Sequence, residues 1–66
     1  MKNHIKEIRK SRKLSQEDLA KKCGVTRQTI NAIENDKYDP TLALAFKLAK
    51  NLNLKLDDLF MFEEGN

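Results

Sequence analysis

The side chains with most to offer a ligand gather in residues 27–35, where Arg27, Gln28, Asn31 and Asn35 supply a guanidinium and three carboxamides. These planar groups carry donors, or a donor beside an acceptor, at set spacing, which suits hydrogen-bonded recognition better than bond making. On a helix of about 100° per residue with Arg27 at zero, Asn31 falls at about 40°, Asn35 at about 80°, Gln28 at about 100° and Ala32 at about 140°. Ile30 falls at about 300°, Thr26 at about 260° and Ile33 at about 240°, so the segment has one amide-rich face and one apolar face. Glu34 lands at about 340°, between the two. Its carboxylate is therefore expected to be partly desolvated and to need a partner.

Reactive groups are scarce by comparison. Cys23 is the single cysteine and His4 the single histidine, so neither an internal disulfide nor a four-ligand zinc site can be built. No general base stands near Cys23 in the sequence, whose place one turn after Leu19 reads as a packed thiol. There is no glycine-rich phosphate loop and no paired carboxylate in a plausible cleft. An enzyme finds no support, and no metal, cofactor or small-molecule ligand is expected.

The elements that must hold the polar face read as helices. Gly24, Gly65 and Pro40 are the only strong punctuators in 66 residues, which argues against a sheet-rich fold. Ile5 and Ile8 mark a first helix to about Lys13. Ser15, with Asp18 three residues on, forms the capping signature of a second helix, with Leu19, Ala20 and Cys23 as its apolar edge. Gly24 then sits where a left-handed residue closes the helix. Thr26 can cap a third helix through about Asn35, and the loop from Asn35 ends at Pro40, which bars continuation of the helix. Thr41 can cap a fourth helix to about Asn53, whose Leu42, Ala43, Leu44, Ala45, Phe46, Leu48, Ala49 and Leu52 predict the floor of the core. Leu54, Leu56, Leu59 and Phe60 continue as a fifth, with Asp57 and Asp58 in its first turn.

Composition bounds the function. The chain has 13 Lys plus Arg against 10 Asp plus Glu, a net charge of +3, with 39% hydrophobic residues. Residues 1–38 carry ten basic and five acidic side chains, or +5, and residues 39–66 carry three and five, or −2. A basic half on a small domain is a footprint for nucleic acid, although a merely solvated face has the same composition. No apolar run approaches the roughly 20 residues of a membrane span, and no signal peptide is legible, so a cytoplasmic location is the default. So short a chain has a marginal core and leaves no room for a separate sensing module. Without disulfide or zinc, self-association is the remaining means of stabilisation.

Two short helices joined by a tight glycine turn, the second with a polar face, describe a helix-turn-helix, which sets its second helix in the major groove of DNA. The run Leu14, Ser15, Gln16, Glu17, Asp18, Leu19, Ala20, followed by Gly24, Val25, Thr26, Arg27, Gln28, Thr29, Ile30 and then Ile33, Glu34, Asn35, Lys37 and Pro40, strongly resembles the Cro/C1-type helix-turn-helix family of phage repressors and bacterial regulators. The likeness spans about residues 5–60. It implies one all-α domain over 1–66, a five-helix lambda-repressor-like fold, with the helix-turn-helix at about 15–35 and a terminal dimerisation element at about 54–63. The shortest members add a small two-stranded element, here Lys2 to His4 against the tail at Met61 and Phe62.

The resemblance carries roles over position by position. Arg27 and Gln28 take the first exposed positions of the recognition helix, where arginine can grip guanine O6 and N7 and glutamine can read adenine N6 and N7. Asn31 and Ala32 follow one turn later, as an amide contact and a thymine-methyl contact. Gln16 resembles the family glutamine that touches a DNA phosphate, and Asn35, Lys37 and Tyr38 resemble the loop that grips the backbone, although Tyr38 equally suits packing over that loop. Arg9 and Glu34 resemble an ion pair between the first and third helices. Asp36 stands where the family usually has glycine, and aspartate tolerates the left-handed region better than most residues. Lys55 replaces the usual Ser or Thr cap of the fifth helix. The implied function is a sequence-specific regulator, in the first instance a repressor, bound to an inverted repeat in double-stranded DNA as a homodimer. Leu56, Leu59, Phe60, Met61 and Phe62 are the expected dimer contacts. The alternative is an antitoxin that binds a toxin protein and autoregulates its operon.

Overall fold

The computed structural model describes residues 1–61, in the order β1 (Lys2–Asn3), α1 (Ile5–Ser11), α2 (Gln16–Cys23), α3 (Arg27–Glu34), α4 (Leu42–Leu52), α5 (Leu56–Leu59) and β2 (Phe60–Met61). The helix starts follow their capping residues. Ser15 is extended, its Oγ accepts from the Asp18 N–H at 2.9 Å, and the Asp18 carboxylate accepts from the Ser15 N–H at 3.2 Å. Those bonds from Ser15, the backbone one first, hold the Asp18 carboxyl below its ordinary range. Thr26 and Thr41 cap α3 and α4 through Thr29 N–H and Leu44 N–H. Gly24 takes φ 70° and Val25 N–H reaches back to the Ala20 carbonyl at 3.0 Å, so the chain leaves α2 through a left-handed turn.

The helices meet around Ile5, Leu19, Ile30, Ile33, Leu48, Leu52 and Leu59, all fully buried, with Ala20, Cys23, Leu44 and Ala49 filling between them. Burial of each large side chain is worth about 1.5–3 kcal/mol. Leu48→Ala would cost about 2–5 kcal/mol, depending on how far the neighbours close in. A five-helix arrangement with a short antiparallel ribbon is therefore the fold, as the resemblance implied.

Several details differ from the sequence expectation. Helix α1 stops at Ser11 because Lys13 turns left-handed, at φ 57°, and Leu14 N–H returns to the Arg9 carbonyl at 3.1 Å. That reversal drops the half-buried Leu14 onto the core. Phe60 belongs to β2 and not to the fifth helix. Antiparallel pairing sets Lys2 opposite Met61 and Asn3 opposite Phe60, so the ribbon expected between Lys2 to His4 and the tail is present and takes in Phe60. Helix α4 is only partly core: Leu44, Ala45, Leu48, Ala49 and Leu52 are buried, whereas Leu42 and Phe46 are 68% and 55% exposed. Leu42 and Phe46 lie about 160° round the helix from Leu44 and Leu48, so one helix cannot bury both sets against the same neighbours.

Asn3 joins the ribbon to the rest of the fold. Its Oδ1 accepts from Ile5 N–H at 3.1 Å, at the start of α1, and its Nδ2 donates to the Ile33 carbonyl at 2.9 Å, in the last turn of α3. One carboxamide thus caps a free N–H at the start of α1 and adds a second donor to the Ile33 carbonyl, which also accepts from Asp36 N–H at 3.2 Å.

Candidate nucleic-acid interface

Helix α3 is held from beneath by Ile30 and Ile33 and at its start by Thr26, which leaves Arg27, Gln28 and Asn31 exposed as the angular count expects. Neither the Arg27 nor the Gln28 side chain has a hydrogen-bond partner among the described residues, so both are available to an external ligand. Ala32 is only half-buried and keeps some surface. At the far end Asn35 Nδ2 donates to the Asn31 carbonyl at 2.9 Å and to Asn31 Oδ1 at 3.3 Å, which draws both amides together. Asp36 turns left-handed at φ 60°, and Lys37 N–H closes onto the Ala32 carbonyl at 2.9 Å. Aspartate therefore fills the glycine position with the turn intact. Lys37 and Tyr38 follow as exposed loop residues, with Tyr38 47% exposed. The N-terminal ammonium bonds Asp39 Oδ1 at 2.6 Å, tying this loop to the start of the chain.

Beneath the exposed face runs a buried polar network. Arg9 Nε donates to Glu34 Oε2 at 2.7 Å and Arg9 Nη2 to Glu34 Oε1 at 3.3 Å, with side-chain exposures of 8% and 1%. Arg9 Nη1 donates to the Leu14 carbonyl at 2.8 Å. Gln16 Nε2 donates to Glu34 Oε1 at 2.9 Å. No buried side-chain nitrogen or oxygen among the described residues lacks a partner. The ion pair foreseen between Arg9 and Glu34 is present, and Gln16 is joined to it, a link that residues 18 apart on different helices do not advertise in sequence.

The expected dimer residues separate. Leu59 is fully buried and packs inward, which corrects its assignment as a partner contact: its side chain has no surface to offer. Leu56 and Phe60 are half-buried and Met61 is exposed, while Phe62 lies outside the described residues. Leu42 and Phe46, assigned to the core from sequence, are exposed instead, as their helical angle already indicated. Leu42 lines a groove of about 480 Å³ with Met1, Pro40, Ala45, Leu56 and Phe60. Among the described residues no helix is long and apolar enough to cross a membrane, and no cluster of metal-ligating side chains occurs.

Two capped helices hinged on a left-handed glycine, the second presenting a free guanidinium and carboxamide from its first turn, define a helix-turn-helix DNA-binding domain. A helix-turn-helix family model matches residues 5–59, and the chain belongs to the Cro/C1-type helix-turn-helix family of transcriptional regulators. It is 58% identical over 64 residues to an uncharacterized HTH-type transcriptional regulator of Methanocaldococcus jannaschii, covering 97% of each chain. The fold is similar to that of the restriction-modification controller protein C.AhdI from Aeromonas hydrophila, with a TM-score of 0.79 and 32% identity over 85% of each chain. It is also similar to the N-terminal DNA binding domain of SinR from Bacillus subtilis, with a TM-score of 0.77 and 26% identity over 92% of this chain and 90% of that one.

Proposed function

We propose that the protein is a sequence-specific, double-stranded DNA-binding repressor that occupies an inverted repeat as a homodimer. The observation that carries the reading is the pair Arg27 and Gln28, exposed and without internal partners on the first turn of a helix whose every other side is anchored. In the major groove these two side chains offer a bidentate contact to guanine and one to adenine, each worth about 1–3 kcal/mol of discrimination. Gln16, Asn35, Lys37 and Tyr38 surround that helix as phosphate contacts that set register, with Asn31 and Ala32 as further base contacts. Occupation of a promoter by such a domain blocks it sterically, and a cytoplasmic location goes with this activity.

The homodimer rests on different residues, in α4, α5 and β2. Leu42 lines an apolar groove with half-buried Leu56 and Phe60, and Phe46 and Met61 are exposed as well, apolar surface that a second copy would cover. Selection of bound duplexes from random sequence tests the function: an inverted repeat should be enriched, and Gln28→Ala should blur one position in each half. No enrichment at moderate salt would refute DNA readout. A solution mass of one protomer at tens of micromolar would remove the dimer.

A further inference from the structure

We propose that Glu34 is a positioning residue for DNA binding: its buried carboxylate aims the Gln16 amide at a backbone phosphate. This rests on the DNA-binding reading above and assigns Glu34 a task beyond its ion pair with Arg9.

The argument starts from donor and acceptor chemistry. An ionised carboxylate accepts and cannot donate, so only the nitrogen end of the Gln16 amide can face Glu34. Gln16 Nε2 indeed donates to Glu34 Oε1 at 2.9 Å. The same oxygen accepts from Arg9 Nη2, and the other from Arg9 Nε, so the carboxylate is held in place by a guanidinium that is itself bonded to the Leu14 carbonyl. With one N–H committed inward, the second N–H of Gln16 is left for an acceptor outside. A phosphate oxygen is such an acceptor, whereas a flipped amide would present its carbonyl oxygen and repel one. Gln16 is half-buried and opens α2, while Glu34 closes α3, so the bond joins the two helices of the motif. Side-chain freedom that a surface glutamine loses on binding DNA is here already lost on folding.

Two measurements on the full chain test this. In the DNA-free wild-type protein, the Gln16 side-chain amide should show an order parameter near the backbone value of about 0.85, and that of Gln28 should fall below about 0.6. Equal mobility of the two would overturn the proposal, and this reading needs no variant to fold. The second measurement uses the duplex recovered by selection, with single phosphates replaced by methylphosphonate. Wild-type binding should weaken at one phosphate in each half-site, and that penalty should vanish in Gln16→Ala. It should vanish equally in Arg9→Leu/Glu34→Met, which swaps the buried pair for apolar groups of similar size, a change that folded proteins tolerate. The double variant should bind the unmodified duplex about threefold to tenfold more weakly, the loss of one hydrogen bond. Binding by the double variant with the wild-type methylphosphonate profile would overturn the positioning role while leaving DNA binding intact. A wild-type protein that enriches no duplex would overturn both.

Discussion

The α2–α3 side and the α4–α5 side of this molecule are built on opposite terms. On the first, each helix start carries a side-chain cap, buried polar groups are paired through Arg9, Glu34 and Gln16, and the outward residues are polar with bonding capacity unspent. On the second, Thr41 caps α4 but Lys55 has no acceptor to offer α5, where only the Asp58 carboxylate reaches back to the Lys55 N–H at 3.3 Å, and the outward residues include Leu42 and Phe46. One side is prepared for a ligand rich in hydrogen-bonding groups and negative charge. The other presents apolar surface whose burial needs no directional partner. Under the proposed function the two surfaces divide the work of recognition and association.

The contrast can be broken most severely at the buried pair. Glu34→Ala leaves the Arg9 guanidinium buried without its counter-ion and should cost about 3–5 kcal/mol. Glu17→Ala, exposed on α2, should stay within about 0.5 kcal/mol. Equal thermal melting shifts for the two would show that the α2–α3 side does not depend on its polar network.

Arg27→Ala should leave the melting temperature nearly unchanged and lower affinity for the selected duplex by about 1–3 kcal/mol, read by titration at constant salt. On the other side Leu42→Ser/Phe46→Ser should weaken self-association by about 1–2 kcal/mol with the fold intact, measured by sedimentation across a concentration series. The comparison fails if the first variant changes association or the second changes which base pairs are preferred.

Two smaller effects sharpen it. Asp36→Gly relieves a left-handed aspartate but adds freedom to the unfolded chain, so the net gain should be about 0.5 kcal/mol, a rise of about 2–4 °C in melting temperature. A clear fall would mean that the turn is held by contacts of the aspartate itself. Cys23 is buried, and desolvation raises its thiol pKa against the smaller opposing effects of the Asn51 amide and Lys47. A raised folded-state value means that the neutral thiol's contribution is complete below the unfolded pKa and is lost as pH rises above it. Stability should therefore decline from about pH 8.5 upward in the wild type and less steeply in Cys23→Ala, by denaturant titration.

Much of the site was legible because its signals are local. Ser15, Thr26 and Thr41 act on N–H groups three residues away, Gly24 and Asp36 answer to backbone sterics at their own position, and the polar face of residues 27–35 follows from helical pitch alone. Even the need of Glu34 for a partner could be read from its angle between the two faces.

What the sequence determined by itself, then, was the order of helices, their caps and turns, and the side chains that α3 turns outward, because each depends on groups within a turn or so along the chain. The tertiary structure alone decided the rest: that Gln16 bonds to Glu34 across 18 residues, that Asn3 reaches Ile33 across 30, that the ribbon pairs Lys2 with Met61, and that Leu59 is core while Leu42 and Phe46 are not. Those outcomes depend on which surfaces compete for the same interior volume, and an apolar residue carries no mark of whether it will win that competition.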